Sequence, residues 1–210
     1  MSRWASENVY ATAKPGLRAR VASVASGRAR SRRHERLFAR CGVTARSTIV
    51  DIGCGRLGLR RHEPDLDITG VDVTQRPDYP GPLVVADVLD GLPFEDAQFD
   101  LAYCSSVIEH VAVGDRPAFA SELRRVARGW YVQTPAFSFP VEPHALLPAA
   151  HWLPPALRRP YWRLGVAGDW EDIALLRRAE MAALFGEPVP EHVGPLVKSW
   201  VSVRAIDADA

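Results

Sequence analysis

Short apolar runs follow one another from residue 47 onward, and each ends in an acidic residue or a small-residue turn. Runs of this length, bounded by turn signals, are typical of buried strands. Helical or irregular segments separate them, and such alternation predicts a doubly wound, mostly parallel α/β sheet. The five predicted strands lie at 48–52, 67–73, 82–87, 99–105 and 129–134.

The connections between these strands differ in character. Residues 115–129 predict a helix, with Asp115 as N-cap, Pro117 in the first turn and Gly129 as the stop. The connection at 74–82 holds three prolines, and it should be extended rather than helical.

The ends of the chain complete a single predicted domain over residues 1–210. Residues 180–185 predict a helix, and the apolar runs at 187–193 and 196–206, joined through Gly194 and Pro195, predict an antiparallel pair on the sheet edge. That pair brings the sheet to seven strands. We divide the domain into four regions. An N-terminal helical cap, whose helix ends at Gly42, covers 1–46, and a cofactor-binding core covers 47–134. A lid and acceptor region covers 135–179, and the C-terminal helix and strand pair cover 180–210.

Composition excludes more than it indicates. The formal net charge is +1, so no overall charge favours nucleic acid or membrane. The segment 3–40 carries ten basic residues against two acids, but a solvated helix face explains it more simply than a nucleic-acid partner. No signal-like or membrane-spanning apolar run is visible, and we expect a cytoplasmic protein. The scattered cysteines, and the absence of helical His or acid spacing, predict no metal site.

One glycine-rich loop carries the first chemical signal. Gly53, Gly55 and Gly58 satisfy the G-x-G-x-x-G pattern of dinucleotide-binding proteins, which would indicate a nicotinamide-dependent oxidoreductase. However, the chain places Asp51, Asp72 and Asp87 at the ends of three successive predicted strands, where open α/β sheets bind their ligands.

The three carboxylates discriminate between cofactors. Asp72 suits the hydroxyls of a ribose in either cofactor. A pyrophosphate would lie on the glycine loop, where the carboxylate of Asp51 opposes an anion. S-adenosylmethionine instead carries a sulfonium, an ammonium and an adenine amine, which carboxylates such as Asp51 and Asp87 can face.

The same residues resemble a known family. "VDIGCGRLG", "GVDV" and "VVADVLDGLPFEDAQFDLAYCSSVIEHV" are similar to the first four motifs of the class I S-adenosylmethionine-dependent methyltransferases, and "LRRVARGWYVQTP" is similar to their fifth-strand region. The resemblance implies a Rossmann-like methyltransferase fold with a lid insertion after the fifth strand. It also implies a cofactor site, in which Asp51, Gly53, Cys54 and Gly55 flank the methionine moiety, Asp72 and Val73 hold the ribose, Asp87 and Val88 hold the adenine, and Ser105 lines the methyl-facing side.

Two departures from the family pattern concern the glycine loop. Leu57 stands where the third glycine of the family falls, and Gly58 follows it. The interval between Asp51 and Asp72 leaves room for only a short first helix. We therefore expect Gly58 to shape the start of that helix without touching the cofactor.

Candidate catalytic residues follow from the chemistry of methyl transfer, since a hydroxyl or amine acceptor must lose a proton. His110 follows the fourth strand, near the expected methyl group, and Glu142 and His144 lie in the lid between prolines. Helix capping or packing is the alternative for each of them. The apolar lid residues usually indicate core packing, but they could also contact a greasy acceptor or a membrane surface.

The sequence thus predicts an S-adenosylmethionine-dependent methyltransferase that acts, by O-methylation, on a small-molecule, glycan or lipid-linked acceptor. A non-catalytic module that binds the cofactor and an NAD-dependent oxidoreductase remain as alternatives. Oligomeric state is not readable from the sequence.

Overall fold

The computed structural model describes residues 35, 39–56, 58–60, 63–167 and 173–206. Most of the predicted N-terminal cap, including the basic segment, lies outside these residues. Residues 39–41 are helical, and the helix stops at Gly42, whose φ of +70° is the left-handed conformation of a helix C-terminus.

A seven-stranded sheet forms the centre of the molecule, which confirms the predicted fold class. Its order is β3-β2-β1-β4-β5-β9-β8. The first five strands in that order are parallel, and β9 pairs antiparallel with both β5 and β8. The strands are β1 (Thr48–Ile52), β2 (Asp67–Asp72), β3 (Leu83–Val85), β4 (Phe99–Ser105), β5 (Ala127–Pro135), β6 (Val141–Glu142), β7 (Leu147–Pro148), β8 (Val189–Val193) and β9 (Leu196–Arg204).

Helix α1 (Arg116–Val126) precedes β5 and corrects one prediction. Pro117 lies in its first turn as expected, but the helix ends at Val126, and Gly129 lies inside β5 instead of stopping the helix. A Cβ atom at position 129 would lie 2.7 Å from the carbonyl oxygen of Arg204. Glycine is therefore required here because the backbones of β5 and β9 approach closely.

The first two connections are short. After β1 the described residues 53–56 and 58–60 form turns, so the short first helix predicted at this point is not seen among them. After β2 the proline-rich connection contains bends and turns and, among its described residues, no helix, in agreement with the prediction that it is not helical. Strand β3 is shorter than predicted, and Asp87 caps the 3-10 helix Val88–Asp90 instead of ending a strand.

The segment after β5 has structure of its own. Strands β6 and β7 form a two-stranded antiparallel hairpin, and a 3-10 turn (Ala150–Trp152) leads to helix α2 (Pro155–Trp162). Ala145, Leu147 and Trp162 belong to a small separate hydrophobic cluster. Helix α3 (Arg178–Phe185) then leads to β8.

Two larger clusters cover the two faces of the sheet. Val50 and Ile52 pack in one of them, together with Phe119 and Leu123 of α1. Ile49 packs in the other, with Leu101, Tyr131 and Leu59. Side chains thus alternate between the faces along each strand. None of the described helices is long and apolar enough to cross a membrane.

Candidate functional site

An open cavity of about 720 Å³ lies beyond the carboxyl ends of β1, β2 and β4. This is the edge at which open α/β sheets bind ligands. The lining residues are Ile52, Gly53, Gly55, Val71, Asp72, Val73, Arg76, Ala86, Val88, Ser106, Val107 and His110; we call this the cofactor cavity.

The structure brings part of the predicted cofactor set to this lining. Five of its members are lining residues: Gly53, Gly55, Asp72, Val73 and Val88. The other four, Asp51, Cys54, Asp87 and Ser105, are not among the lining residues. Arg76, Ser106 and Val107 line the cavity although no sequence pattern singled them out.

The glycine loop is held against β2. The backbone N–H groups of Gly53 and Cys54 both donate to the carbonyl oxygen of Val71, at 2.8 and 3.1 Å. Gly53 has a φ of +68°, and a Cβ atom there would lie 2.4 Å from Cγ2 of Val107. Position 53 therefore requires glycine both for its conformation and for the approach of Val107.

Asp72 is the central carboxylate of the cavity. One oxygen accepts from the backbone N–H of Gly55 at 3.0 Å, and the other accepts from the backbone N–H of Thr74 at 3.0 Å. The second oxygen also pairs with the Arg76 guanidinium at 3.1 Å. These donors fix the carboxylate at the end of β2, with 7% of the residue exposed.

Asp51 is directed toward the buried side of the glycine loop and is not a lining residue of the cavity, and its predicted place beside the methionine moiety stays a prediction. Its carboxylate accepts a hydrogen bond from the backbone N–H of Leu59 at 2.6 Å, and the residue is 3% exposed. Burial, opposed by that hydrogen bond and assisted by the charge of Asp72, raises the pKa of Asp51 to about 7. The alternation along β1 explains the direction, because Asp51 shares its face with Ile49 and not with Val50 or Ile52.

Gly58 lies on the same buried side as Asp51. A Cβ atom at Gly58 would lie 2.3 Å from the Tyr79 ring and 3.1 Å from Oδ2 of Asp51. Cys54 is buried nearby, and its Sγ would lie 2.9 Å from a Cβ atom at Gly70. These groups support the glycine loop from beneath. The expectation that Gly58 avoids the cofactor stays a prediction, which this position supports.

Ser105 and Ser106 share one acceptor at the end of β4. Their hydroxyl groups donate to Oε1 of Gln133 at 2.8 and 3.2 Å. Ser106 adopts a left-handed φ of +59° and lines the cavity in place of Ser105. Such a conformation in a residue other than glycine is costly, and it is often found at functional sites.

Beyond the cavity, the lid adds a second set of polar groups. The ring of His110 lines the cavity and packs edge-on against the ring of His144, with their centroids 5.1 Å apart. Nδ1 of His144 lies 2.7 Å from Oε1 of Glu142, and Oε2 of Glu142 accepts from the backbone N–H of Ala145. The three predicted catalytic residues therefore form one chain of contacts from the cavity into the lid.

Charge and burial act against each other at Glu142. Burial by itself would raise its pKa, but the hydrogen bond and the charge of His144 outweigh burial and hold the pKa of Glu142 below its usual range. Glu142 is 2% exposed and His144 is 4% exposed. The contact between them is therefore shielded from water.

Glu109 joins this group, and no sequence pattern indicated it. It is fully buried, and its Oε2 accepts a hydrogen bond from the hydroxyl group of Thr134 at 2.9 Å. One ligand-type atom from each of Glu109, His110 and His144 lies within 4.8 Å of the other two. We call Glu109, His110, Glu142 and His144 the polar cluster.

The lid is hydrogen-bonded to the turn that carries Glu109 and His110. The backbone N–H of Ala174 donates to the carbonyl oxygen of Glu109 at 3.1 Å. Arg116, which is 1% exposed, donates to the carbonyl oxygens of Val111 and Ala174 and pairs with Glu180. The C-terminal end of the lid is therefore anchored at Ala174 to the turn after β4 and to α1.

His151 and Trp152 also lie in the lid, and both contact its backbone. Nε2 of His151 and Nε1 of Trp152 each lie 2.9 Å from the carbonyl oxygen of Phe137. Burial lowers the pKa of His151. His34 and His62 lie outside the residues that the structure describes.

Comparisons with known proteins agree with this geometry. Residues 50–129, from β1 into β5, match the family model described as a methyltransferase domain. No curated protein sequence matches the chain.

Solved structures share the fold. The chain is 12% identical to magnesium protoporphyrin IX methyltransferase from Synechocystis PCC 6803 with bound SAH, with 91% of this chain and 89% of that chain covered and a TM-score of 0.60. It is 18% identical to the PH0226 protein from Pyrococcus horikoshii OT3, with 83% and 89% covered and a TM-score of 0.57. It is 16% identical to a SAM-dependent methyltransferase from Methanosarcina mazei, with 77% and 92% covered and a TM-score of 0.51.

At these identities the structural likeness establishes the fold alone. The family match adds the type of domain, and it covers the glycine loop, Asp72 and the turn that carries His110. The chain therefore contains a methyltransferase domain, a type of domain that uses S-adenosylmethionine, and it has the fold of S-adenosylmethionine-dependent methyltransferases.

Proposed function

We propose that this methyltransferase transfers the methyl group to a hydroxyl group of a small-molecule, glycan or lipid-linked acceptor, held between the cofactor cavity and the lid. One observation carries the proposal: His110 faces the cavity on one side and His144 of the lid on the other. An acceptor that reaches the methyl group must therefore pass beside an imidazole that can take its proton.

The cavity suits the cofactor. Gly53 and Gly55 leave room for the methionine half beside their backbone, and the carboxylate of Asp72 is placed to accept from the ribose hydroxyl groups, with Arg76 shifting aside. Val73 and Val88 offer apolar contacts for the adenine and the ribose. When bound, the cofactor supplies an electrophilic methyl group on a sulfonium.

The remaining predicted cofactor residues serve this site indirectly. Asp51 and Cys54 hold the glycine loop from beneath, and Asp87 caps the turn that positions Val88, through its hydrogen bond from the backbone N–H of Leu89 at 2.9 Å. Ser105 fixes Gln133, and thereby the strained Ser106 at the cavity wall. We infer that substitution here affects cofactor affinity by moving the lining residues.

The polar cluster activates the acceptor. A hydroxyl group loses its proton as it is methylated, and a nitrogen of His110 is the group placed to take that proton. His144 and Glu142 are positioning residues, since the Glu142 carboxylate orients the His144 ring, which packs on His110. A site closed by the lid also excludes water from the reacting groups.

The lid suggests the class of acceptor. It has its own small core, which includes Leu147 and Trp162, while Trp152, Leu157 and Leu164 are exposed. Exposed apolar side chains of this size often contact an apolar partner. A lipid-linked acceptor would contact these side chains while its hydroxyl group reaches the cavity.

A methyl-transfer assay tests the proposal. The full chain is incubated with cofactor labelled on the methyl group and a panel of hydroxyl-bearing and amine-bearing acceptors, free and lipid-linked. We expect label on a hydroxyl oxygen. His110→Asn should lower kcat by roughly 100-fold or more while SAH binding is retained, and the matched lid variant His151→Gln should leave kcat close to wild type. Label on nitrogen, or full activity in His110→Asn, contradicts the proposal.

A further inference from the structure

Three buried side chains where the cavity meets the lid share the donor set of a cation site. Glu109, His110 and His144 each offer a ligand atom within 4.8 Å of the other two, and they are 0%, 9% and 4% exposed. Two imidazoles and one carboxylate form a recurrent donor set for divalent zinc and iron in proteins. The three residues come from the turn after β4 and from the lid.

The carboxylate of Glu109 supplies a second, independent observation. Its Oε2 accepts from Thr134, but its Oε1 is buried and has no hydrogen-bond partner among the described residues. A buried carboxylate oxygen without a donor is costly. A cation in the cluster would satisfy this oxygen.

The lid orients His144 as metal-binding histidines are usually oriented. Nδ1 of His144 lies 2.7 Å from Oε1 of Glu142, and the backbone N–H of Ala145 holds the other oxygen of that carboxylate. Histidine ligands commonly donate one ring N–H to a carboxylate and bind the metal through the other nitrogen. The contact with Glu142 thus leaves Nε2 of His144 as the ligand atom.

We propose that Glu109, His110 and His144 bind one divalent transition-metal cation. Ligand atoms at roughly 2.1 Å from such a cation lie about 3 to 3.5 Å apart, so ligand atoms as much as 4.8 Å apart would need to approach one another by up to about 1.3 to 1.8 Å on binding. The cation would also offset the negative charges of Glu109 and Glu142.

The cation would act on the acceptor, and this step rests on the proposed function. A hydroxyl oxygen bound to a divalent cation ionises more readily. In the loaded state His110 is a ligand and no longer takes the proton, so the proton of the cation-bound hydroxyl group would pass to a water molecule at the open side of the cavity. Because the lid supplies His144 and Glu142, cation binding also ties the lid to the cofactor cavity.

Cobalt binding tests the site without requiring turnover. The full chain is dialysed against a chelator and titrated with Co²⁺, whose visible absorption bands report the ligands around it, and Zn²⁺ is then added as competitor. We expect one equivalent of Co²⁺ per chain, displaced by Zn²⁺. Glu109→Gln, which can keep the Thr134 contact, and His144→Asn should each weaken binding by roughly 100-fold.

Control variants keep this result interpretable. His151→Gln removes a lid imidazole outside the polar cluster and should bind Co²⁺ as the wild type does. SAH titration and thermal unfolding of every variant verify that the fold is intact. Wild-type chain that shows no bands at millimolar Co²⁺ overturns the proposal, and so does Co²⁺ binding that survives in both Glu109→Gln and His144→Asn.

The two proposals fail separately. SAH binding and hydroxyl methylation that persist in chelator-treated chain, without Co²⁺ binding, would leave the polar cluster as a proton-transfer group and remove the cation. Stoichiometric Co²⁺ binding that Glu109→Gln and His144→Asn weaken, without methylation of any hydroxyl acceptor, would retain the cation and remove the acceptor proposal.

Discussion

Asp51 offers the sharpest test of the buried support beneath the glycine loop. In the folded chain its carboxyl group is 3% exposed, and burial raises its pKa from 3.8 to about 7. The folded chain therefore binds the Asp51 proton more tightly than the unfolded chain does. The resulting stabilisation is complete below the unfolded pKa and is lost as the pH rises through the folded pKa.

The size of the effect follows from the shift. Each pKa unit corresponds to about 1.4 kcal/mol, so a shift of about three units amounts to about 4 kcal/mol at most. Asp51→Asn keeps an oxygen for the Leu59 N–H but cannot ionise. Relative to wild type, the free energy of unfolding of Asp51→Asn should rise by about 3 kcal/mol between about pH 5 and pH 8.

Urea unfolding at several pH values, followed by far-UV circular dichroism without cofactor, measures this difference. Subtracting wild type from variant at each pH cancels the other carboxylates of the chain. Asp65→Asn, at an exposed position in the connection between β1 and β2, controls for the loss of one negative charge. A difference between Asp51→Asn and wild type that stays constant with pH would refute the argument that Asp51 is buried against the loop.

Three further predictions concern the cofactor loop, the lid and the sheet. Gly53→Ala should weaken SAH binding by at least roughly 10-fold in calorimetry, whereas Gly58→Ala should mainly lower Tm; equal losses of affinity would contradict their placement on opposite sides of the loop. Arg116→Met should lower the free energy of unfolding in urea by about 3 kcal/mol and speed amide exchange at residues 173–176, since it removes the buried guanidinium that holds this part of the lid. Unchanged exchange would contradict the anchoring of the lid by Arg116. Gly129→Ala should lower stability by about 1 to 3 kcal/mol, while Gly114→Ala, where a Cβ meets no atom within 4 Å, should be nearly neutral. A neutral Gly129→Ala would argue against the close approach of β5 and β9.

Much of the fold was predictable because burial imposes a local pattern. Continuous apolar runs mark strands covered on both faces, and the structure places β1, β2 and β4 within a residue of the predicted bounds. The prediction failed where a residue that is typical of one structural element lies in another. Gly129 resembles a helix stop in the sequence, but it is a glycine inside a strand, and only the neighbouring β9 backbone explains it.

The cofactor site was partly predictable for a related reason. Gly53 and Gly55 come directly after β1, and Asp72 is the last residue of β2. The course of the backbone therefore brings all three to the cavity. The alternation of Asp51 with Val50 and Ile52 turns its side chain to the other face of β1, which its position at the strand end does not reveal. Proximity to a strand end does not determine on which side a carboxylate lies.

The sequence by itself determined the alternating α/β order, the strand ends that carry glycine and carboxylate, and the resemblance to the methyltransferases. Only the tertiary structure decided that Glu109 and His110 meet His144 and Glu142 of the lid, and that Asp51 lies beneath the loop. The reason is physical: strands and turns are set by local periodicity, whereas the polar cluster depends on how the lid folds back onto the sheet. The pair Glu109 and His110 and the pair Glu142 and His144 lie in separate segments of the sequence, and no local pattern shows that they meet.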